Sequence, residues 1–136
     1  MPGKSSYVLD TSAILALRGD ERGADRVEAI LRDAAAGKAR VLVSFMSRLE
    51  LLYRISRDEG EESAAEALRL LDASGVEWVS CDDEILRRAA RLKAAGGLAI
   101  ADAWIAATAL LAGAPLVHKD PELDPIQGLA QERLPD

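Results

Sequence analysis

Short apolar runs alternate along this chain with longer segments in which apolar residues recur at helical spacing. Residues 7–9, 41–43, 76–79 and 116–118 predict short buried strands, with a weaker fifth at 131–134. Val27, Ile30, Leu31 and Ala34 fall on one face of a helix expected over about residues 22–36. Phe45, Leu49, Leu52 and Tyr53 mark a second such stripe, Ala64, Leu68 and Leu71 a third, and Ile85, Leu86, Ala89 and Leu92 a fourth. Residues 98–112 form an almost wholly apolar helical stretch. Gly37, Gly60, Gly75, Gly96-Gly97 and Gly113 punctuate the ends, as helix caps and turns require. Strands alternating with helices predict an α/β sandwich with a mostly parallel sheet.

Composition narrows the class. With 136 residues, 49% of them hydrophobic and 29% charged, the chain is expected to form one folded domain over residues 1–136 rather than a disordered segment. Its one cysteine, Cys81, excludes an intramolecular disulfide, points to a reducing compartment and reads as a buried thiol. Only the fifteen residues 103–117 lack a charge, too few to span a bilayer. Residues 1–6 hold no apolar stretch of the signal-peptide kind, so a cytoplasmic protein without membrane attachment is expected. A net charge of -6 argues against holding nucleic acid on a broad basic face, yet leaves a nuclease open. Lys38-Ala39-Arg40 and the group Arg87, Arg88, Arg91 and Lys93 are locally basic, and read more simply as solvated helix faces or ends.

The acids carry the chemistry. Asp102 interrupts the apolar stretch 98–112, where a lone ionised carboxylate costs several kcal/mol unless it is paired or bound to a cation. Asp10 ends the first predicted strand, Glu50 sits in Leu49-Glu50-Leu51-Leu52, and Asp120 follows the fourth strand. If these four converge, two carboxylates about 4 Å apart repel by roughly 4 kcal/mol at an effective dielectric near 20. Convergence therefore implies a cation, and an all-oxygen donor set without His or Cys suits Mg²⁺ or Mn²⁺ rather than zinc. Open parallel sheets bind ligands beyond the carboxyl ends of their strands, where Asp10 and Asp120 fall.

Each acid also has a plain structural reading. Asp10 ahead of Thr11-Ser12 fits a helix cap, Asp120-Pro121 a turn or cap, and Ser47 to Glu50 a capping box, with Ser44 as the competing cap. Asp102 has only capping near the Gly96-Gly97 break as its alternative. His118, the only histidine, has no serine or cysteine nucleophile to serve and reads as structural. Trp78 and Trp104 read as packing residues, without the interleaved basic residues of a base-stacking surface.

Val8-Leu9-Asp10-Thr11-Ser12-Ala13, the segment from Ser44 through Glu50-Leu51, the block Ile100-Ala101-Asp102-Ala103-Trp104-Ile105-Ala106-Ala107-Thr108-Ala109, and Leu116-Val117-His118-Lys119-Asp120-Pro121-Glu122-Leu123 together resemble the PIN-domain ribonucleases, most closely the VapC-type toxins of toxin-antitoxin pairs. The resemblance runs through essentially the whole chain in order. It implies a three-layer α/β/α sandwich with about five strands, and an acidic pocket that binds one or two Mg²⁺ or Mn²⁺ ions and hydrolyses RNA phosphodiester bonds. By position it makes Asp10, Glu50 and Asp102 the core acids and Asp120 the fourth, all catalytic and metal-binding, with Thr11 or Ser12 as the supporting hydroxyl that meets the substrate. His118 departs from the Thr or Ser often found two residues before the fourth acid. The resemblance further implies a homodimer and a small antitoxin protein that fills the acidic groove with a cation such as arginine. The alternative within the same fold is a catalytically silent RNA- or protein-binding module. A phosphoaspartyl phosphatase would resemble Asp-x-Asp, where this chain has Ser12, and a receiver-type phosphoacceptor would need an acidic pair near the first strand.

Overall fold

The computed structural model describes residues 5–136. Strand β1 (Ser5–Leu9) leads into helices α1 (Thr11–Arg18) and α2 (Ala24–Ala35), and β2 (Ala39–Ser44) into α3 (Phe45–Glu59) and α4 (Glu61–Ala73). Then come β3 (Glu77–Val79), α5 (Asp83–Ala94), α6 (Ile100–Ala112) and β4 (Leu116–His118). A 3₁₀ turn at Pro121–Leu123 precedes β5 (Gln131–Arg133). All five strands are parallel, in the order β3-β2-β1-β4-β5. The chain is a three-layer α/β/α sandwich.

Strand alternation builds the two cores. Val8, Leu42 and Leu116 point to one side and pack with Ile105, Ala106 and Ala109 of α6. Leu9, Val41, Val43 and Val117 point to the other side, against Ile14, Val27, Ile30, Leu51, Ile55, Leu68 and Leu71. Both faces of the sheet are covered at its centre, which is why β1, β2 and β4 carry apolar runs such as Val41-Leu42-Val43, whereas the edge strand β5 is polar, Gln131-Glu132-Arg133. The strand order matters more for function. Successive strands step outward from β1 to β3, after which the chain returns to place β4 on the free side of β1. The reversal between β1 and β4 opens a crevice at their carboxyl ends, the place where sheets of this kind bind ligands.

Three expectations need correction. The stripe Phe45, Leu49, Leu52 and Tyr53 is exposed, at 53%, 56%, 39% and 50%. Helix α3 instead buries Ser47, Leu51 and Ile55. It carries two apolar lines, and the sheet took the one that also brings Ser47 inward. Leu86 is likewise exposed on α5, while Ile85 is buried. Cys81 is an exposed free thiol, because it lies in the loop between β3 and α5 and not in a strand. Trp78 is half-buried; it stacks under the Arg48 guanidinium at 4.7 Å and donates its indole N–H to Asp72 at 2.7 Å. Of the basic stretches, Arg40 and Arg87 form ion pairs with Glu77 and Asp83. Among the described residues no helix is long and apolar enough to cross a membrane.

Candidate functional site

Asp10 leaves β1 in an extended conformation and caps α1. Its own N–H donates to the Val117 carbonyl at 2.9 Å, which pins the cap to β4. Asp10 Oδ2 accepts from the Ser12 N–H at 3.0 Å and from the Ser12 hydroxyl. The same hydroxyl oxygen accepts from the Lys119 N–H at 2.9 Å. Ser12 thus joins the exits of β1 and β4 across the crevice. Asp10 is only 4% exposed. Burial pushes its carboxyl above the ordinary aspartate range; the Ser12 hydrogen bonds oppose that rise, and the charge of Asp120 adds to it.

Glu50 approaches from α3. Ser44 caps that helix by accepting from the Met46 N–H at 3.1 Å, so Glu50 lies between one and two turns inside it and is free of capping duty. Ser47 faces inward and is fully buried. The Thr11 hydroxyl lies 2.8 Å from Glu50 Oε1 and 2.9 Å from Ser47 Oγ. An ionised carboxylate only accepts, so Thr11 spends its single proton on Glu50 and receives the proton of Ser47. This buried relay fixes one Glu50 oxygen against α1.

Asp102 and Asp120 complete the group. Asp102 lies in the first turn of α6, whose cap, Ala99, offers no side-chain acceptor. Asp120 caps the 3₁₀ turn by accepting from the Glu122 N–H at 2.9 Å. Carboxylate oxygens of Asp102, Asp120 and Glu122 lie within 4.8 Å of one another. Asp102 is half-buried, not fully enclosed. Burial, followed by the charges of Asp10, Asp120, Glu50 and Glu122, pushes its carboxyl up to about 7. The charges of the other three sequence-identified acids therefore all reach Asp102. Glu122 is a fifth that the sequence reading passed over. Its signal was the Asp-Pro-Glu triplet, because a 3₁₀ turn begun by proline swings a carboxylate two residues after the cap to the same side.

His118 is fully buried at the end of β4. Its Nε2 lies 2.7 Å from Gln131 Oε1, and its Nδ1 is 3.1 Å from the Asp120 nitrogen. The Asp120 N–H is necessarily the donor, so Nδ1 is bare and the ring proton sits on Nε2, pointing at Gln131. The Gln131 amide then donates to the Leu123 carbonyl at 3.1 Å. Where a Thr or Ser would offer one hydroxyl, the imidazole reaches both the backbone of Asp120 and the strand behind it.

Among the described residues, no lysine or arginine forms an ion pair with Asp10, Glu50, Asp102, Asp120 or Glu122. Lys119, next to Asp120 in sequence, turns away to Glu21 at 3.1 Å. Asp102, Asp120 and Glu122 thus come together without a neutralising side chain among the described residues, while Asp10 and Glu50 stand outside this trio and act on Asp102 through their charges. Such a site attracts polyvalent cations, and any anionic ligand would have to arrive together with one.

A protein-family model described as PIN domain matches residues 7–129, a span that includes all five acids. No curated protein sequence matches the chain. Among solved structures it is similar to VapBC2 from Rickettsia felis bound to a DNA fragment from its promoter, with TM-score 0.77, 18% identity, and coverage of 96% of this chain and 99% of that one. VapBC-1 from nontypeable Haemophilus influenzae gives 0.73 and 24%, covering 94% and 97%. VapC20 from Mycobacterium tuberculosis, described as a sarcin-ricin loop cleaving toxin, gives 0.71 and 20%, covering 93% and 98%. At these identities the likeness speaks for the fold.

Proposed function

The chain belongs to the PIN-domain family, and from that premise we propose that it is a divalent-metal-dependent endoribonuclease, the toxin of a toxin-antitoxin pair. The uncompensated carboxylate cluster at the β1/β4 switch point carries this reading. Its donor set is all oxygen, three of its carboxylates approach within 4.8 Å, and burial together with the neighbouring carboxylates pushes Asp102 up to about 7. These residues fit Mg²⁺ or Mn²⁺. Asp10, Glu50, Asp102 and Asp120 would hold the ion or ions, with Glu122 beside them. When bound, the ion supplies Lewis-acid chemistry: it offsets charge on the phosphodiester and makes water a better nucleophile at neutral pH.

The side chains' share is positional. Thr11 and Ser47 orient Glu50, Ser12 orients Asp10, and His118 with Gln131 sets the backbone of Asp120. Thr11 and Ser12 are engaged with carboxylates, and on this reading they serve the substrate by holding the pocket's shape. The Ser12 hydroxyl is engaged with Asp10, and among the described residues no serine or cysteine is paired with the histidine, so on this reading water is the nucleophile.

Two partners belong to the reading. The exposed line Phe45, Leu49, Leu52 and Tyr53 suits an interface with a second copy. The acidic crevice suits an antitoxin segment that presents a cation such as arginine. Both would act in the cytoplasm. VapC20 is described as a cleaving toxin, and VapBC-5 from Mycobacterium tuberculosis as a member of the VapBC family of toxin-antitoxin systems, in keeping with this assignment.

The deciding experiment compares wild type with Asp10→Asn on single-stranded RNA, in EDTA and in Mn²⁺. Asparagine keeps the cap acceptor, so circular dichroism should be unchanged while metal-dependent cleavage falls at least a hundredfold. Wild type that binds Mn²⁺ and RNA but leaves RNA intact would make the protein a binding module on this fold.

A further inference from the structure

Beside the carboxylate cluster lies a second concavity that the metal chemistry does not use. It is a cleft of about 430 Å³ between the end of α5 and the segment after the 3₁₀ turn. Leu92, Leu98, Pro125 and Ile126 supply apolar walls, and Glu122 and Gln127 supply the polar groups. Glu122 also belongs to the carboxylate trio with Asp102 and Asp120. The cleft and the acidic crevice therefore share a wall, and a phosphate neutralised at the acids would have its neighbouring nucleoside at the cleft mouth.

Both sides of the cleft are held in place. On one side, Gly96 and Gly97 take left-handed backbone angles of +91° and +86°, a turn that costs glycine little and other residues more. Lys93 Nζ closes this turn by donating to the Leu98 carbonyl at 2.7 Å, and Leu98 is buried. On the other side, the Ile126 N–H donates to the Leu123 carbonyl at 3.2 Å. The Gln131 amide grips that carbonyl from β5. A preformed, mostly apolar slot with a few polar groups is the usual form of a small-molecule site. A splayed-out base has this chemistry, with two apolar faces and a hydrogen-bonding edge. The phosphates cannot enter, because the one charged wall is acidic.

We infer that this cleft is the base-binding subsite of the nuclease: it receives one unstacked nucleobase of the RNA strand adjoining the phosphate at the acids, with Gln127 at its edge. The inference rests on the ribonuclease reading and adds to it a source of sequence preference. Single-stranded RNA is read in this way, by bases lifted out of the stack into pockets that hold their faces and edges.

The test separates binding from cutting. Fluorescence anisotropy measures labelled single-stranded RNA octamers, each with one abasic nucleotide at a different position, in Ca²⁺ in place of Mn²⁺. Wild type should lose about tenfold in affinity when one particular base is missing, in line with the strength of single base contacts. Ile126→Trp, which fills the cleft, should bind the complete octamer about tenfold more weakly and be indifferent to the abasic site. Gln127→Ala, an exposed substitution that leaves folding alone, should lower selectivity among the four bases at that position. Mn²⁺-induced shifts in melting temperature should match wild type in both variants, since neither residue is among the acids. Equal loss at every abasic position in wild type, or an unchanged profile in both variants, overturns the subsite. If the pattern appears but Mn²⁺ brings no cleavage, the subsite stands and the nuclease reading fails. If cleavage is present and the variants cut with wild-type KM and sequence profile, the reverse holds.

Discussion

Replacing Asp102 by asparagine should stabilise the metal-free protein, and the pH dependence of that gain exposes its cause. The Asp102 carboxyl rises from 3.8 to about 7 on folding. Between those values the native state holds a proton that the unfolded chain has lost, so stability falls as pH rises and the full penalty is in place above about 7. At face value the rise corresponds to about 4 kcal/mol. Asp102 is only half-buried, and solvent screening reduces this to ~1–2 kcal/mol. One effect opposes it: a carboxylate in the first turn of α6 interacts favourably with the helix dipole by about 0.3–1 kcal/mol. The net gain for Asp102→Asn at pH 8 is then about 1 kcal/mol, or roughly 3–5 °C in melting temperature for a chain of this length. Thermal melting in EDTA at pH 8 and pH 5 measures it, and the gain should shrink as pH falls from 7 toward 4. A few millimolar Mn²⁺ should reverse the order, because a ligand at a hundred times its Kd adds about 2.7 kcal/mol to the protein that binds it. A lower melting temperature for the variant at pH 8 would mean that the helix dipole outweighs repulsion. A gain equal at pH 5 and pH 8 would remove ionisation as the cause.

Two other changes probe the supports of the site. His118→Leu leaves the Asp120 N–H and Gln131 Oε1 without partners, which should cost about 2–3 kcal/mol of stability. It should also weaken Mn²⁺ binding by calorimetry about tenfold, whereas His118→Asn, which keeps a donor and an acceptor, recovers part of the affinity; wild-type Mn²⁺ affinity in the leucine variant would show that the imidazole merely fills space. Converting Phe45, Leu49 and Tyr53 together to serine should leave the far-UV circular dichroism unchanged and turn a dimer into a monomer in sedimentation velocity, with a lower melting temperature as the dimer's contribution is lost, and a monomeric wild type would leave this apolar face without the role proposed for it.

Strand positions were legible because a parallel sheet covered on both faces needs apolar residues on both sides, and only short runs such as 41–43 and 116–118 supply them. Helix faces were legible where a helix carries one apolar line, as in α2 and α4. Helix α3 failed this test because Phe45, Leu49, Leu52 and Tyr53 keep helical spacing as well as Leu51 and Ile55 do. Periodicity ranks faces by their own apolarity. The face turned inward is the one that places Ser47 and Glu50 beside Thr11, a contact that apolar periodicity does not record.

At Asp10 and Asp120 a capping role is compatible with the proposed chemistry. Asp10 caps α1 with Oδ2, and Asp120 caps the 3₁₀ turn with Oδ1. A carboxylate has two oxygens and several lone pairs, so a cap restrains one oxygen and with it the direction of the other. Helix N-termini beyond the strand ends thus serve as mounts: the backbone N–H groups that need acceptors are the means by which the chain aims its acids. Asp102 lacks such a mount, burial and its acidic neighbours push its carboxyl up to about 7, and it was also the residue most conspicuous in the sequence. Glu122 was invisible for the opposite reason. It is exposed and follows a proline in a polar turn, and only the path of the chain after β4 brings it beside Asp102. What the pattern of residues could not carry was therefore the part of the site set by loop geometry, including the wall that Glu122 shares with the adjoining cleft.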